Sequence, residues 1–86
     1  MRFVWFDTAW EEYISWQKDK QKFRKINELL KDIKRNGYKC IGRPERLSGN
    51  LAKYSSLRID EKNRIVFRIE KDDIEIIQCG SHYRDK

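Results

Sequence analysis

The chain opens on alternation. In Phe3-Val4-Trp5-Phe6 every residue is β-branched or aromatic, with Phe3 and Trp5 on one face and Val4 and Phe6 on the other. This predicts a strand over residues 1–6. The period then changes. Trp10, Tyr13, Ile14 and Gln17 fall on one face of a helix, and Thr8 with Glu11 fits a capping box at its start. A break near residues 18–20 separates this segment from a second helix with the clearest period in the chain. There Phe23, Ile26, Leu29, Leu30 and Ile33 form an apolar stripe that stops at Asn36-Gly37. Residues 38–53 hold two of the four glycines and the only proline, and read as an irregular loop with about one helical turn. Alternation returns in three runs, 54–60, 64–70 and 73–79. A strand, two helices and an antiparallel three-strand meander give an α+β domain of two layers, with the helices on one face of the sheet. The first strand joins that sheet, because alone it would leave Phe3 or Trp5 exposed.

Strand phase decides which polar residues meet. Leu57 and Ile59, then Ile65, Phe67 and Ile69, then Ile74 and Ile76 define the apolar face. Arg58 and Arg64 then lie together on the opposite face, near the turn at 60–63. Like charges side by side repel, so a compensating anion is expected: Glu45 of the loop, or a bound phosphate. The same rule sends Ile77 and Cys79 to the face of Arg64, Val66 and Arg68, and brings residue 79 close to Arg64. The only histidine, His82, and Tyr83 follow at once.

Composition sharpens this picture. The 86 residues make one domain, 1–86. With 38% apolar and 40% charged residues the chain approaches disordered composition, but three Trp, four Tyr and four Phe supply a core. The net charge of +6 calls for an anionic partner: nucleic acid, an acidic protein or a membrane surface. No apolar run is long enough to span a bilayer and no signal-peptide core appears, which points to the cytoplasm and away from a membrane. Cys40 and Cys79 form no CxxC motif and read as reduced, partly buried thiols; with one histidine they are too few for a zinc site. On the second helix Lys20, Lys22, Arg24, Lys25, Lys31, Lys34 and Arg35 make a basic surface suited to phosphates.

Glu45, Arg58, Arg64, His82 and Tyr83 suit phosphodiester cleavage. RNA brings its own nucleophile, the 2′-hydroxyl. The protein must add a base, an acid for the leaving 5′-oxygen, and cations for the charge that builds on phosphorus. Carboxylate, imidazole and guanidinium fit those roles without a metal or other cofactor. Arg43 and Lys53, on the loop, join Arg58 as candidate phosphate contacts. Generic binding of nucleic acid or of an acidic protein through the basic surface stands beside this reading.

Five stretches in order carry a resemblance: "VWFDTAWEEYISWQ", "KINELLKDIKRNGY", "GRPERLSGNL", "SLRIDEKNRIVF" and "SHY". They are similar to the YoeB/Txe toxins, a branch of the RelE superfamily in bacterial toxin–antitoxin systems, over nearly the whole chain. The resemblance implies a RelE-like fold and a ribosome-dependent mRNA endonuclease, docked on ribosomal RNA, that cuts mRNA in the A site and stops translation. It implies a bacterial cytoplasmic protein neutralised by a cognate antitoxin of the YefM/Axe kind, and points to a homodimer. It casts Glu45 as general base, Arg58 and Arg64 as phosphate contacts, His82 as general acid and Tyr83 as the aromatic that positions substrate. Two departures stand out. The family's loop, usually of the form G-K-P-E-P-L, is often followed by a lysine, where this chain has Ser48. The family's S-R-R-I reads S-L-R-I here, with Leu57. Both take positive charge from the chain, so activity below that of a typical member is expected. They also leave open a RelE-like protein that binds RNA, the ribosome or the antitoxin without cutting.

Overall fold

The computed structural model describes residues 1–80. Its elements are β1 (Arg2–Trp5), α1 (Asp7–Ser15), α2 (Lys20–Asn36), β2 (Glu45–Arg46), β3 (Ser55–Arg58), β4 (Arg64–Glu70) and β5 (Asp73–Gly80). Single tight turns fill 16–18, 37–39 and 49–51. The five strands form one mixed sheet in the order β1-β5-β4-β3-β2, with β1 parallel to β5 and the other pairs antiparallel. The α+β, two-layer RelE-like expectation holds, with the meander extended by β1 at one edge and β2 at the other.

The helices form where the sequence allows them. Asp19 has extended backbone, and its carboxylate accepts the Lys22 backbone N–H, which caps α2 and accounts for the break before it. At the other end Gly37 takes φ +61°, the left-handed region where a side chain would be strained. Ile26, Leu30 and Ile33 of the predicted stripe are buried against the sheet, with Leu29 half-buried. Completely burying an isoleucine such as Ile26 or Ile33 contributes about 1.5–3 kcal/mol. Facing them on the sheet are Leu57, Ile65, Phe67, Ile74 and Ile76, as the strand phases require.

Four local expectations are corrected. Helix α1 begins at Asp7 after Phe6, and no side chain caps it, so the Thr8–Glu11 box does not form. Its inward residue is Ala9, with Tyr13 and Trp16 against the core, whereas Trp10 and Ile14 stay outside the core and about half-exposed. The loop before β3 contains a strand, β2, too short to show alternation. Finally, β5 carries a bulge: Val66 pairs with Gln78 but Phe67 with Ile76, leaving Ile77 as the extra residue. The bulge reverses the phase. Cys79 therefore pairs with Ile65 and is buried in the core, not on the face of Arg64.

Among the described residues, the end of β5 beyond Trp5 has no strand on its outer side, and α1 with the turn after it supplies the missing partners. The Cys79 N–H donates to Glu12 Oε1 at 2.8 Å, and Trp16 Nε1 donates to the Cys79 carbonyl at 2.9 Å.

Candidate catalytic cleft

The face of the sheet turned away from the helices carries the candidate residues. Arg58 and Arg64 are cross-strand partners on β3 and β4. Their repulsion is relieved as the phases demanded: Arg64 Nη1 donates to Glu45 Oε1 at 3.2 Å and to Ser56 Oγ at 3.1 Å. Glu45 reaches this face because β2 pairs with β3, setting Glu45 opposite Ser56. Arg68, farther along the same face, is neutralised by Glu75 and Glu70, and its guanidinium lies over the Tyr54 ring. Arg58 and Arg43 have no ion pair among the described residues. On this face the cations without an ion pair among the described residues thus lie at the Arg58 end of the sheet.

There Gly42, Arg43, Glu45, Ser56, Arg58 and Arg64 line a cleft of about 210 Å³. Its loop wall is held by Asp32 of α2, whose carboxylate accepts the backbone N–H groups of Ile41 and Gly42 and the Asn36 side-chain amide. Arg43 follows in the left-handed region, φ +58°, which turns the chain into Pro44-Glu45. Gly42 leaves no room for a side chain: a Cβ there would lie 2.7 Å from Leu57. The opposite wall depends on the β3–β4 turn. Asp60 accepts Lys22 Nζ at 2.7 Å, the Lys62 and Asn63 backbone N–H groups at 2.8 Å, and the Asn63 side chain. The Lys22 ammonium leads these donors in holding the Asp60 carboxyl well below the usual carboxylate range.

The structure brings Glu45, Arg43, Arg58 and Arg64 together and separates Lys53 from them. Lys53 lines another cavity with Tyr38, Pro44, Arg46 and Ser55. His82 and Tyr83 lie outside the described residues; Gly80, two positions before His82, is paired with Arg64. Leu57 is buried on the helix side opposite Ile65, so the departure at 57 takes no charge from this cleft. Sequence reasoning missed Ser56 and Asp32. Ser56 had a signal, since it lies two residues before Arg58 on the same strand. Asp32 had none beyond being one acid among many bases.

Comparison with known proteins decides the family. Residues 5–83 match the model of the YoeB-like toxins of bacterial type II toxin–antitoxin systems. The chain belongs to that family. It is similar to Toxin YoeB of Escherichia coli (strain K12), at 39% identity over 96% of this chain and all of the relative. It is similar to the toxin in the heterotetrameric YoeB–YefM toxin–antitoxin complex from Staphylococcus aureus, at 42% identity, TM-score 0.85, and 94% and 95% coverage of the two chains. It is also similar to the Staphylococcus aureus YoeB dimer, at 41% identity, TM-score 0.85, and 96% and 98% coverage. As a YoeB-like toxin the chain carries Arg58, Arg64 and its loop glutamate together on the sheet face turned away from the helices.

Proposed function

We propose that this toxin is a ribosome-dependent mRNA endonuclease that cuts mRNA in the ribosomal A site and thereby blocks translation. The observation that carries the reading is the Glu45–Arg64–Ser56 contact beside Arg58, the cross-strand neighbour of Arg64, in one cleft. Glu45 accepts the 2′-hydroxyl proton. The 2′-oxygen then attacks phosphorus, and the P–O5′ bond breaks as His82 gives its proton to the departing oxygen. The products are a 2′,3′-cyclic phosphate and a free 5′-hydroxyl. Arg58 and Arg64 meet the charge on the phosphorane, guanidinium forks matching its oxygens in pairs. Arg43 contacts the neighbouring backbone and Tyr83 positions the nucleotide. The groups in and after the cleft cover every role without a metal or cofactor. A base within 3.2 Å of an arginine is also poised to be released, because substrate phosphate competes for that arginine.

The proposal includes a cognate antitoxin of the YefM/Axe kind and self-association, since relatives similar over nearly their whole length are a YoeB–YefM complex and a YoeB dimer. It places the protein in the bacterial cytoplasm, with the basic face of α2 toward ribosomal RNA. The second reading, binding without cutting, keeps only Ser48 in its favour, because Leu57 faces the core. Primer extension on mRNA from a cell-free translation reaction separates the two. Cuts within codons at stalled ribosomes, abolished in Glu45→Ala and in His82→Ala, are expected. Blocked translation with intact mRNA, indifferent to both substitutions, overturns the cleavage reading.

A further inference from the structure

Strand β2 has two residues and therefore two faces. Glu45 pairs with Ser56 toward the cleft, while Arg46 pairs with Ser55 toward the helix side. On that side Tyr38, Pro44, Arg46, Lys53 and Ser55 line a cavity of about 430 Å³, twice the size of the cleft and within the range of small-ligand sites. Its donors are prepared. Arg46 Nε is fixed on the Ala52 carbonyl at 2.8 Å, which orients the guanidinium and leaves its two amino groups without a partner among the described residues. Neither Arg46 nor Lys53 has an ion pair among the described residues. Tyr38 is locked by stacking on Phe67 and by accepting the Ile69 N–H at 2.8 Å, yet it is 48% exposed, and its own hydroxyl proton has no acceptor among the described residues.

We propose that this cavity is a second anion site that takes a phosphate-bearing nucleotide of the RNA, outside the bond being cut; it rests on the cleavage reading. Two cations beside an exposed aromatic ring match a phosphate next to a base face. An acidic peptide would use the cations and leave the ring idle. The cavity also shares its loop with the cleft: Gly42, Arg43 and Glu45 line one and Pro44 and Arg46 the other, so a strand of RNA crossing the β2 edge meets both.

The test uses the full-length protein and a 2′-O-methyl hexaribonucleotide, which lacks the nucleophile and stays intact, with an N-acetylated hexaglutamate as the competing probe. Amide NMR shifts at Tyr38, Arg46 and Lys53 are expected with the RNA and not with the peptide. Arg46→Gln/Lys53→Gln should bind RNA with a plot of log K against log salt that is shallower by about 0.7 for each phosphate the variant no longer neutralises. The same variant should cut mRNA at stalled ribosomes with a raised KM. RNA shifts confined to Arg58 and Arg64, an unchanged salt slope, or unchanged cleavage kinetics overturn the second site while leaving the cleavage reading standing. Shifts with hexaglutamate alone make the cavity a protein-partner site and overturn the proposal. A wild-type protein that cuts no mRNA on ribosomes removes the reading on which it rests.

Discussion

Asp60 offers a quantitative check on how the arginine-bearing hairpin is held. Its side chain is about a quarter exposed, and it accepts two backbone N–H groups, the Asn63 side chain and the Lys22 ammonium. A hydrogen bond to a charged group contributes about 1.5–3 kcal/mol, and partial exposure favours the lower figure. A part-exposed ion pair adds up to about 1 kcal/mol. The two backbone bonds at the lower figure give about 3 kcal/mol and the ion pair up to about 1, so Asp60→Ala is expected to cost about 3–4 kcal/mol, a large share of a total near 5–15 kcal/mol. Asp60→Asn keeps an oxygen for the two backbone donors and loses the charge, so it should cost about 1–2 kcal/mol. The two substitutions also differ with pH. The folded carboxyl lies below its unfolded value of about 3.9, so its contribution is complete above that value and is lost as pH falls toward the folded one. At pH 3, with the folded carboxylate still charged, the loss is about 1.3 kcal/mol. Urea unfolding followed by tryptophan fluorescence at pH 7 and pH 3 measures all of this. The gap between wild type and Asp60→Asn should narrow by about 1.3 kcal/mol at the lower pH. An equal gap at both pH values, or an Asp60→Ala cost under about 1 kcal/mol at pH 7, would refute the assignment of the turn's stability to this carboxylate.

Burial, with the Glu12 charge behind it, pushes the Cys79 thiol up to about 12, and burial raises Cys40 as well. Both should stay protonated and unreactive toward a disulfide reagent at pH 8 until denaturant is added. Phe67 is fully buried under Tyr38, so Phe67→Ala should cost about 3–5 kcal/mol in urea unfolding, against under about 1.5 kcal/mol for Phe67→Leu. Glu12→Ala removes the acceptor of the Cys79 N–H, and amide hydrogen exchange at Cys79 should accelerate far more than at Ile65, which faces it inside the sheet.

The layer arrangement was legible because it rests on period. The stripe Ile26–Leu30–Ile33 and the alternation of Ile65, Phe67 and Ile69 each have one burial that satisfies them. Pairing apolar with apolar then placed Arg58 beside Arg64, and their repulsion called for an anion, Glu45 or a bound phosphate, of which the structure supplies Glu45. What stayed hidden has no period. The bulge at Ile77 shifts phase by one residue with no glycine to announce it, and so misplaced Cys79. A two-residue strand is shorter than one alternation, so β2 read as loop, and with it went the facing of Lys53 and Arg46. Long-range contacts such as Glu12 to Cys79, 67 positions apart, leave no local trace.

The place of β5 in the sheet sets an order of events. It is the last of the described strands to be synthesised, yet it lies between β1 and β4 and is clamped by Glu12 of the first helix and by Trp16 just after it. Folding proceeds from the N-terminus as the chain emerges, but here β1 waits without a partner until β5 arrives. The Arg64 end of the cleft gains its neighbour, Gly80, at the same late moment. A growing chain therefore carries a basic helix and an unfinished sheet, and the site takes shape only when synthesis has passed residue 80. For a protein proposed to attack translating ribosomes, the ribosome that makes it meets a finished cleft only after β5 has left its exit tunnel.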